Sequence, residues 1–156
     1  VFYIPAGLLH AIGAGITVAE IQQSSDVTYR VYDYNRENAN HEKRPLHIEK
    51  AALVAGFMPP LAGHRPMGPR IRKNGYSRTL LVQCPYFVVQ LYEISESVAG
   101  DTAEGFQSLL ILEGEGVLKT SFGEMSLKAG DSIYLPKETG SYQIIGTLQL
   151  LRSTAE

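Results

Sequence analysis

Short runs of β-branched and aromatic residues, interrupted at intervals of about ten positions by glycine, proline or a polar cluster, dominate this chain. In the first 36 residues such runs fall at 1–4, 8–12, 16–21 and 27–34. Pro5-Ala6-Gly7, Gly13-Ala14-Gly15 and Ser24-Ser25-Asp26 separate them, and the pattern predicts strands joined by turns. Residues 35–43 are polar and aperiodic and read as an exposed connection. Over 46–55, Ile48, Ala51, Ala52 and Ala55 recur at helical spacing with Glu49 and Lys50 on the other side. This predicts a short helix with Pro59-Pro60 as its outer limit. Residues 64–75 carry Arg65, Arg70, Arg72 and Lys73 with no acid between them, and are read as a solvated loop rather than a phosphate contact.

From Arg78 onward strands are predicted at 79–83, 86–94, 106–112, 117–122, 125–127, 132–135, 142–145 and 148–152. Residues 96–105 form a polar excursion, and turns fall at Glu113-Gly114-Glu115-Gly116, Gly123-Glu124 and Ala129-Gly130-Asp131. Many short strands with little helix predict an all-β jelly-roll barrel.

The chain also repeats itself. Phe2-Tyr3-Ile4-Pro5 resembles Ile133-Tyr134-Leu135-Pro136, and setting Pro5 against Pro136 places His10 opposite Ser141. Gly130-Asp131 and two hairpins precede the second copy, whereas nothing precedes Val1. The expectation is therefore a fragment: residues 1–36 are the last strands of a truncated catalytic barrel, 37–77 a connecting segment with a short helix, and 78–156 a complete second barrel. Unpaired strands at 1–34 would leave edges and an apolar face open to chain–chain contact.

Composition narrows the function classes. With 14 basic and 16 acidic side chains among 156 residues, the net charge is −2, which offers no field for a nucleic acid or an anionic membrane. No apolar run approaches the roughly 20 residues of a membrane helix, and no signal peptide is evident. A lone cysteine, Cys84, has no partner for an intrachain disulfide, which predicts a reducing, cytoplasmic setting and a buried, inert thiol.

Candidate chemistry concentrates near the start. A strand runs into Pro-Ala-Gly, His10 follows on the next extended segment, and Glu20 and Arg30 come on segments that can fold back beside it. That is the layout of a metal site in a small β-barrel with an anion-binding arginine at its mouth. Gly-Asp, an apolar strand, proline and then a loop resembles the second motif of the cupin superfamily. Cupins draw their other ligands from an earlier hairpin; in the second copy that hairpin, 113–122, has no histidine, so the second barrel is expected to be metal-free.

The residues Y-I-P-A-G-L-L-H-A-I, then E-I-Q-Q-S-S-D-V-T-Y-R-V-Y-D-Y-N-R, then R-P-L-H-I-E-K are similar to the type I phosphomannose isomerase (mannose-6-phosphate isomerase) family in its short bacterial form. The resemblance runs over the whole chain as a C-terminal half. It implies that His10 is a zinc ligand whose companions lie upstream, that Glu20 occupies an acidic position of the pocket, and that Arg30 stands at the substrate end. It further implies interconversion of mannose 6-phosphate and fructose 6-phosphate through an enediolate. One histidine cannot hold catalytic zinc, which usually takes three protein ligands, so the isolated chain is expected to be inactive.

Blander readings exist for each residue. A histidine between Leu9 and Ala11 is often a satisfied core residue, a lone arginine such as Arg30 is often surface, and a glutamate on a strand often faces solvent. His41 and His47 are read as non-functional, and Asp33 and Arg36 as a pair. Two rival functions follow. One is a non-enzymatic sugar-binding or regulatory cupin, which has no need of the set His10, Glu20 and Arg30. The other is an iron-dependent dioxygenase, which needs two histidines and a carboxylate around an open metal.

Overall fold

Alternating burial shapes the larger part of the computed structural model, which describes residues 1–25, 27–57 and 64–155. The chain divides into one unit of Phe2–Gly63 and a second of His64–Glu156 together with Val1.

In the second unit eight strands, all paired antiparallel, follow one another: β1 (Arg70–Lys73), β2 (Tyr76–Gln83), β3 (Phe87–Ile94), β4 (Ser97–Asp101), β5 (Gln107–Thr120), β6 (Gly123–Lys128), β7 (Ser132–Leu135) and β8 (Ser141–Ala155). The order is β1-β2-β3-β8-β5-β6, with β4 also on β8 and β7 also on β5. Two long strands make the jelly roll. Along β8, residues 141–145 pair with β4 and 148–155 with β3, while its other edge follows β5. Along β5, residues 107–110 pair with β7 and 115–120 with β6. Each long strand therefore serves two sheets, which face one another across the core.

A strand can turn this corner only where side chains are out of the way. Gly114 has φ +79°, and a Cβ there would lie 2.1 Å from the Thr147 carbonyl oxygen. Gly116 pairs with Gly146 at the same corner. The inward set on β5 changes from odd positions (Gln107, Leu109, Ile111) to an even one, Leu118. The register break between Ile111 and Glu113 supplies the extra residue this needs. Leu109, Ile111, Ile144 and Leu150 are at most 1% exposed, and burial of each stabilises the fold by about 1.5–3 kcal/mol.

Several expectations are corrected here. Glu113-Gly114-Glu115-Gly116 does not end a strand but bends one, and the predicted strands 142–145 and 148–152 are one strand. Residues 97–101, expected to be a polar excursion, form β4; residues 70–73, three of them basic and expected to be loop, form β1 at the sheet edge. There Arg70 donates to Ser77 Oγ at 2.8 Å and pairs with Glu93 at 2.9 Å.

In the first unit, α1 (Ile48–Val54) forms where helical spacing predicted it, with Ala51 buried. Turns occur at Ala6-Gly7 and Ala14-Gly15. The four strands predicted over 1–34 do not form: among the described residues these segments have no neighbouring strand to take up their backbone donors and acceptors. Asp26, Pro59 and Pro60, invoked for a polar break and a helix limit, lie outside the described residues. Among those described, no helix is long and apolar enough to cross a membrane.

Cys84 is buried, its thiol 3.6 Å from the Phe87 carbonyl oxygen. Tyr142 is buried too and donates to Gln107 Oε1 at 2.6 Å. Burial pushes its hydroxyl above the usual tyrosine range, and the Arg152 guanidinium draws it back part of the way. With the folded pKa raised, this contribution to stability is complete below the unfolded value of about 10 and is lost as pH rises through the folded value. The urea midpoint is therefore expected to fall between pH 8 and pH 11. Tyr142→Phe is expected to lessen that fall, and an identical fall in the variant would exclude Tyr142 as its source.

Candidate functional site

The histidine predicted as a ligand is placed by the turn before it. Leu8 N–H donates to the Pro5 carbonyl at 3.1 Å, and Gly56 N–H donates to the Gly7 carbonyl at 2.8 Å, tying the turn to the segment after α1. Gly7 has φ +86°, and a Cβ there would lie 2.6 Å from the Val54 carbonyl oxygen, so only glycine fits. His10 follows, exposed, with Nδ1 2.8 Å from the Leu8 carbonyl oxygen. A carbonyl can only accept, so Nδ1 carries the proton and Nε2 keeps its lone pair. A backbone acceptor on one ring nitrogen is the support a metal-ligating histidine ordinarily has on the other.

Arg30 is held by a different contact. Its backbone N–H donates to His47 Nδ1 at 3.1 Å, and its carbonyl accepts from His47 N–H at 2.7 Å. His47, read from sequence as non-functional, thus fastens the Arg30 segment to the start of α1. The Arg30 side chain is 23% exposed; Nε lies 3.9 Å from Asp33 Oδ1, and a terminal nitrogen donates to the Pro45 carbonyl at 3.5 Å.

Asp33 does not pair with Arg36 as expected. Arg44 donates to both its carboxylate oxygens, through Nε at 2.7 Å and through a terminal nitrogen, while Arg36 lies over the Tyr34 ring at 5.5 Å. The hydrogen bonds from Arg44 hold the Asp33 carboxyl below the usual carboxylate range, against the opposing effect of burial. Because Arg44 engages both oxygens, the Arg30 guanidinium is left with two long contacts, to Asp33 and to the Pro45 carbonyl.

Glu20 is exposed and makes no hydrogen bond or ion pair with a described residue. His10, Glu20 and Arg30 are not joined by any such contact. Among the described residues, no three His, Cys, Asp or Glu side chains cluster as a metal site would require. His10 therefore fits a metal as one ligand through Nε2, and the described residues supply no complete set. In the second unit Ser141, at the position matching His10, donates to Asp101 Oδ2 at 2.7 Å. That bond, followed by one from Ala103 N–H, lowers the Asp101 pKa.

A sequence profile for the mannose-6-phosphate isomerase cupin domain matches residues 77–155, which is β2 through β8. The chain belongs to the mannose-6-phosphate isomerase cupin-domain family. The fold class read from sequence, an all-β cupin jelly roll, holds for the second unit.

A mannose-6-phosphate isomerase of Streptococcus mutans is 38% identical over 97% of this chain and 47% of its own length. A putative mannose-6-phosphate isomerase of Bacillus subtilis is 38% identical over 97% of this chain and 48% of its own. The chain thus spans about half the length of the curated relatives it matches. The crystal structure of the mannose 6-phosphate isomerase from Bacillus subtilis superposes with a TM-score of 0.74 at 34% identity, covering 85% of this chain and 41% of that one. That is more of the chain than the second unit contains. A Streptomyces PAC13 variant solved with uridine (TM-score 0.52, 17% identity, 61% of this chain and 83% of that one) shares the fold.

Proposed function

We propose that this chain is the C-terminal part of a zinc-dependent aldose–ketose isomerase that interconverts mannose 6-phosphate and fructose 6-phosphate. The observation that carries the reading is the match to named mannose-6-phosphate isomerases over 97% of the chain, which takes in the His10, Glu20 and Arg30 segments as well as the cupin barrel. In this reading residues 1–36 become the last strands of a catalytic barrel only when paired with strands that lie, with the other zinc ligands, upstream of Val1; 37–77 connect, and 78–156 form a second, metal-free barrel.

His10 would hold the metal through Nε2, with the Leu8 carbonyl fixing the ring. Zinc, when bound, supplies Lewis-acid polarisation of the sugar oxygens. Glu20 would complete or orient the ligand set. Isomerisation moves a proton between C1 and C2 by way of an enediolate, and Arg30 would face the phosphate or that developing negative charge. It remains charged throughout and presents a fixed fork of donors. By itself the chain is expected to be inactive. Its exposed Leu9, Ile16, Val18 and Val27 are expected to promote chain–chain contact, seen as light scattering that rises more than in proportion to concentration. Scattering strictly proportional to concentration would count against that contact. The single buried thiol supports a cytoplasmic setting.

A chimera tests the role of Arg30. Joining the part of the Streptococcus mutans relative that this chain does not match to Val1 is expected to give mannose 6-phosphate isomerisation. Arg30→Gln in it is expected to lower kcat/KM by about 10²–10³-fold without altering zinc content. Unchanged kcat/KM in that variant would remove Arg30 from the site.

A further inference from the structure

Polar residues occupy part of the face of the second barrel that also carries its core. Leu80, Gln90, Arg152 and Leu109 stand in register across β2, β3, β8 and β5; Arg78, Tyr92, Leu150 and Ile111 form the adjoining row. Strand alternation puts both rows on the face that bears the core residues Leu109, Ile111 and Leu150. Two arginines therefore point to this side, and among the described residues neither forms an ion pair. The nearest acid in sequence on these strands, Glu93, belongs to the opposite face, where Arg70 holds it at 2.9 Å.

The contacts of Arg152 determine what Gln90 can do. A terminal nitrogen of Arg152 lies 2.7 Å from the Gln90 side chain, and since a guanidinium only donates, the atom it meets is the oxygen. Tyr92 also donates to that oxygen, at 3.3 Å. The Gln90 amide is thereby oriented with its acceptor used and its two N–H donors left over. Arg152 Cζ sits 5.1 Å from the centre of the Tyr92 ring, and its Nε is buried without a hydrogen-bond partner; among the described residues no carboxylate pairs with it.

Gln90 and Arg78 line a groove of about 240 Å³, partly open to solvent, whose walls are Pro69, Ile71 and Leu80. The polar groups of this groove are a cation and an amide whose oxygen is engaged elsewhere. Such a donor-only lining matches an acceptor-only ligand, and the apolar walls match an organic body.

We propose that this groove binds a small organic molecule through an oxyanion, a phosphate or carboxylate held by the Arg78 guanidinium and the Gln90 amide N–H groups. Arg152 acts as a positioning residue: it orients the Gln90 amide and adds positive potential behind it. The site lies on the second barrel, for which the proposed isomerase reading has no chemical role.

Titration calorimetry on the full 156-residue chain tests this, with inorganic phosphate, acetate, mannose 6-phosphate and uncharged mannose as probes. Binding of at least one of the three anions is expected, with affinity that falls as salt rises, and no binding of mannose. Stronger binding of phosphate and mannose 6-phosphate than of acetate would identify a phosphoryl ligand, and the reverse a carboxylate. Arg78→Met is expected to weaken binding at least about tenfold and Gln90→Leu at least about fivefold. Arg72→Met, on the other face of β1, is expected to change nothing. Should Arg78→Met not fold, the Gln90 side-chain amide signals of the wild-type chain are expected to shift in ¹⁵N-resolved spectra as phosphate is added. No heat with any anion, equal binding by Arg78→Met, or shifts confined to the His10–Arg30 segment would overturn the proposal. The last of these would leave the isomerase reading intact.

Discussion

Replacing Gly114 by alanine is expected to unfold the second barrel. At φ +79° an L side chain is already strained, and the added Cβ would come within 2.1 Å of the Thr147 carbonyl oxygen and 2.8 Å of the Leu148 Cα. Both are backbone atoms of the paired strand β8, so no side chain can rotate away to relieve the contact. Relief would require parting β5 from β8 at the corner on which both sheets depend. A loss above about 4 kcal/mol is expected, which is exceptional for a single substitution and comparable with the whole stability of many domains. For a unit of this size that corresponds to a fall in Tm of more than about 15 °C. Gly130 supplies the control. It also has positive φ, +91°, but a Cβ there meets nothing within 4 Å, so Gly130→Ala should cost only about 1 kcal/mol. Thermal melting followed by circular dichroism compares the two. Equal small losses would mean that Gly114 is a turn residue of no special importance.

The second large effect concerns His10. Its Nδ1 is committed to the Leu8 carbonyl, so Nε2 is the nitrogen left to bind metal. In the chimera, His10→Ala should abolish stoichiometric zinc and lower turnover by more than about 100-fold, since loss of supporting contacts to a ligand alone costs 10–100-fold. Moving the turn beneath the ligand should have a lesser effect of the same kind. Gly7→Ala, whose Cβ would meet the Val54 carbonyl oxygen, is expected to weaken zinc affinity while leaving the second barrel's melting unchanged. Unaltered zinc affinity in Gly7→Ala would mean that this turn does not position His10.

How legible the fold was depended on whether the signal was local. Strands β2, β3 and β7 could be read because alternation and flanking turn residues agree over each of them. Strands β5 and β8 were read as two strands each because a glycine that lets a strand bend is indistinguishable, in a single sequence, from one that ends it. Ser97–Asp101 has almost no residue with strand preference and becomes β4 only through its pairing with β8. Arg70–Lys73 is basic except for Ile71 and exposed throughout, as suits a sheet edge, and one apolar residue in four is too short a pattern to mark a strand. Residues 1–34 show the converse: their composition favours strands, yet a strand needs a neighbour, and among the described residues there is none.

The candidate site divides in a similar way. His10, Glu20 and Arg30 stood out because residue identities at fixed spacing carried a family resemblance. The Asp33–Arg44 pair did not, since it joins residues across an irregular connection closed by the bridge of Glu37 to Lys43. Gln90 and Arg152 were also missed, because each is a single polar residue on a mostly apolar strand face; only the register between β3 and β8 brings them together. Along with His47, these are the residues whose roles depend on pairing rather than spacing.

Whether His10 belongs to the zinc site of a mannose-6-phosphate isomerase is decided by measuring zinc and turnover together. The chimera and its His10→Ala variant would be purified side by side, assayed for metal, and supplied with mannose 6-phosphate while fructose 6-phosphate is followed. About one zinc per chain and clear isomerisation are expected in the first, and neither in the second despite an unchanged barrel melt. A folded chimera without isomerase activity, or a His10→Ala variant that keeps its zinc and its turnover, would contradict this expectation.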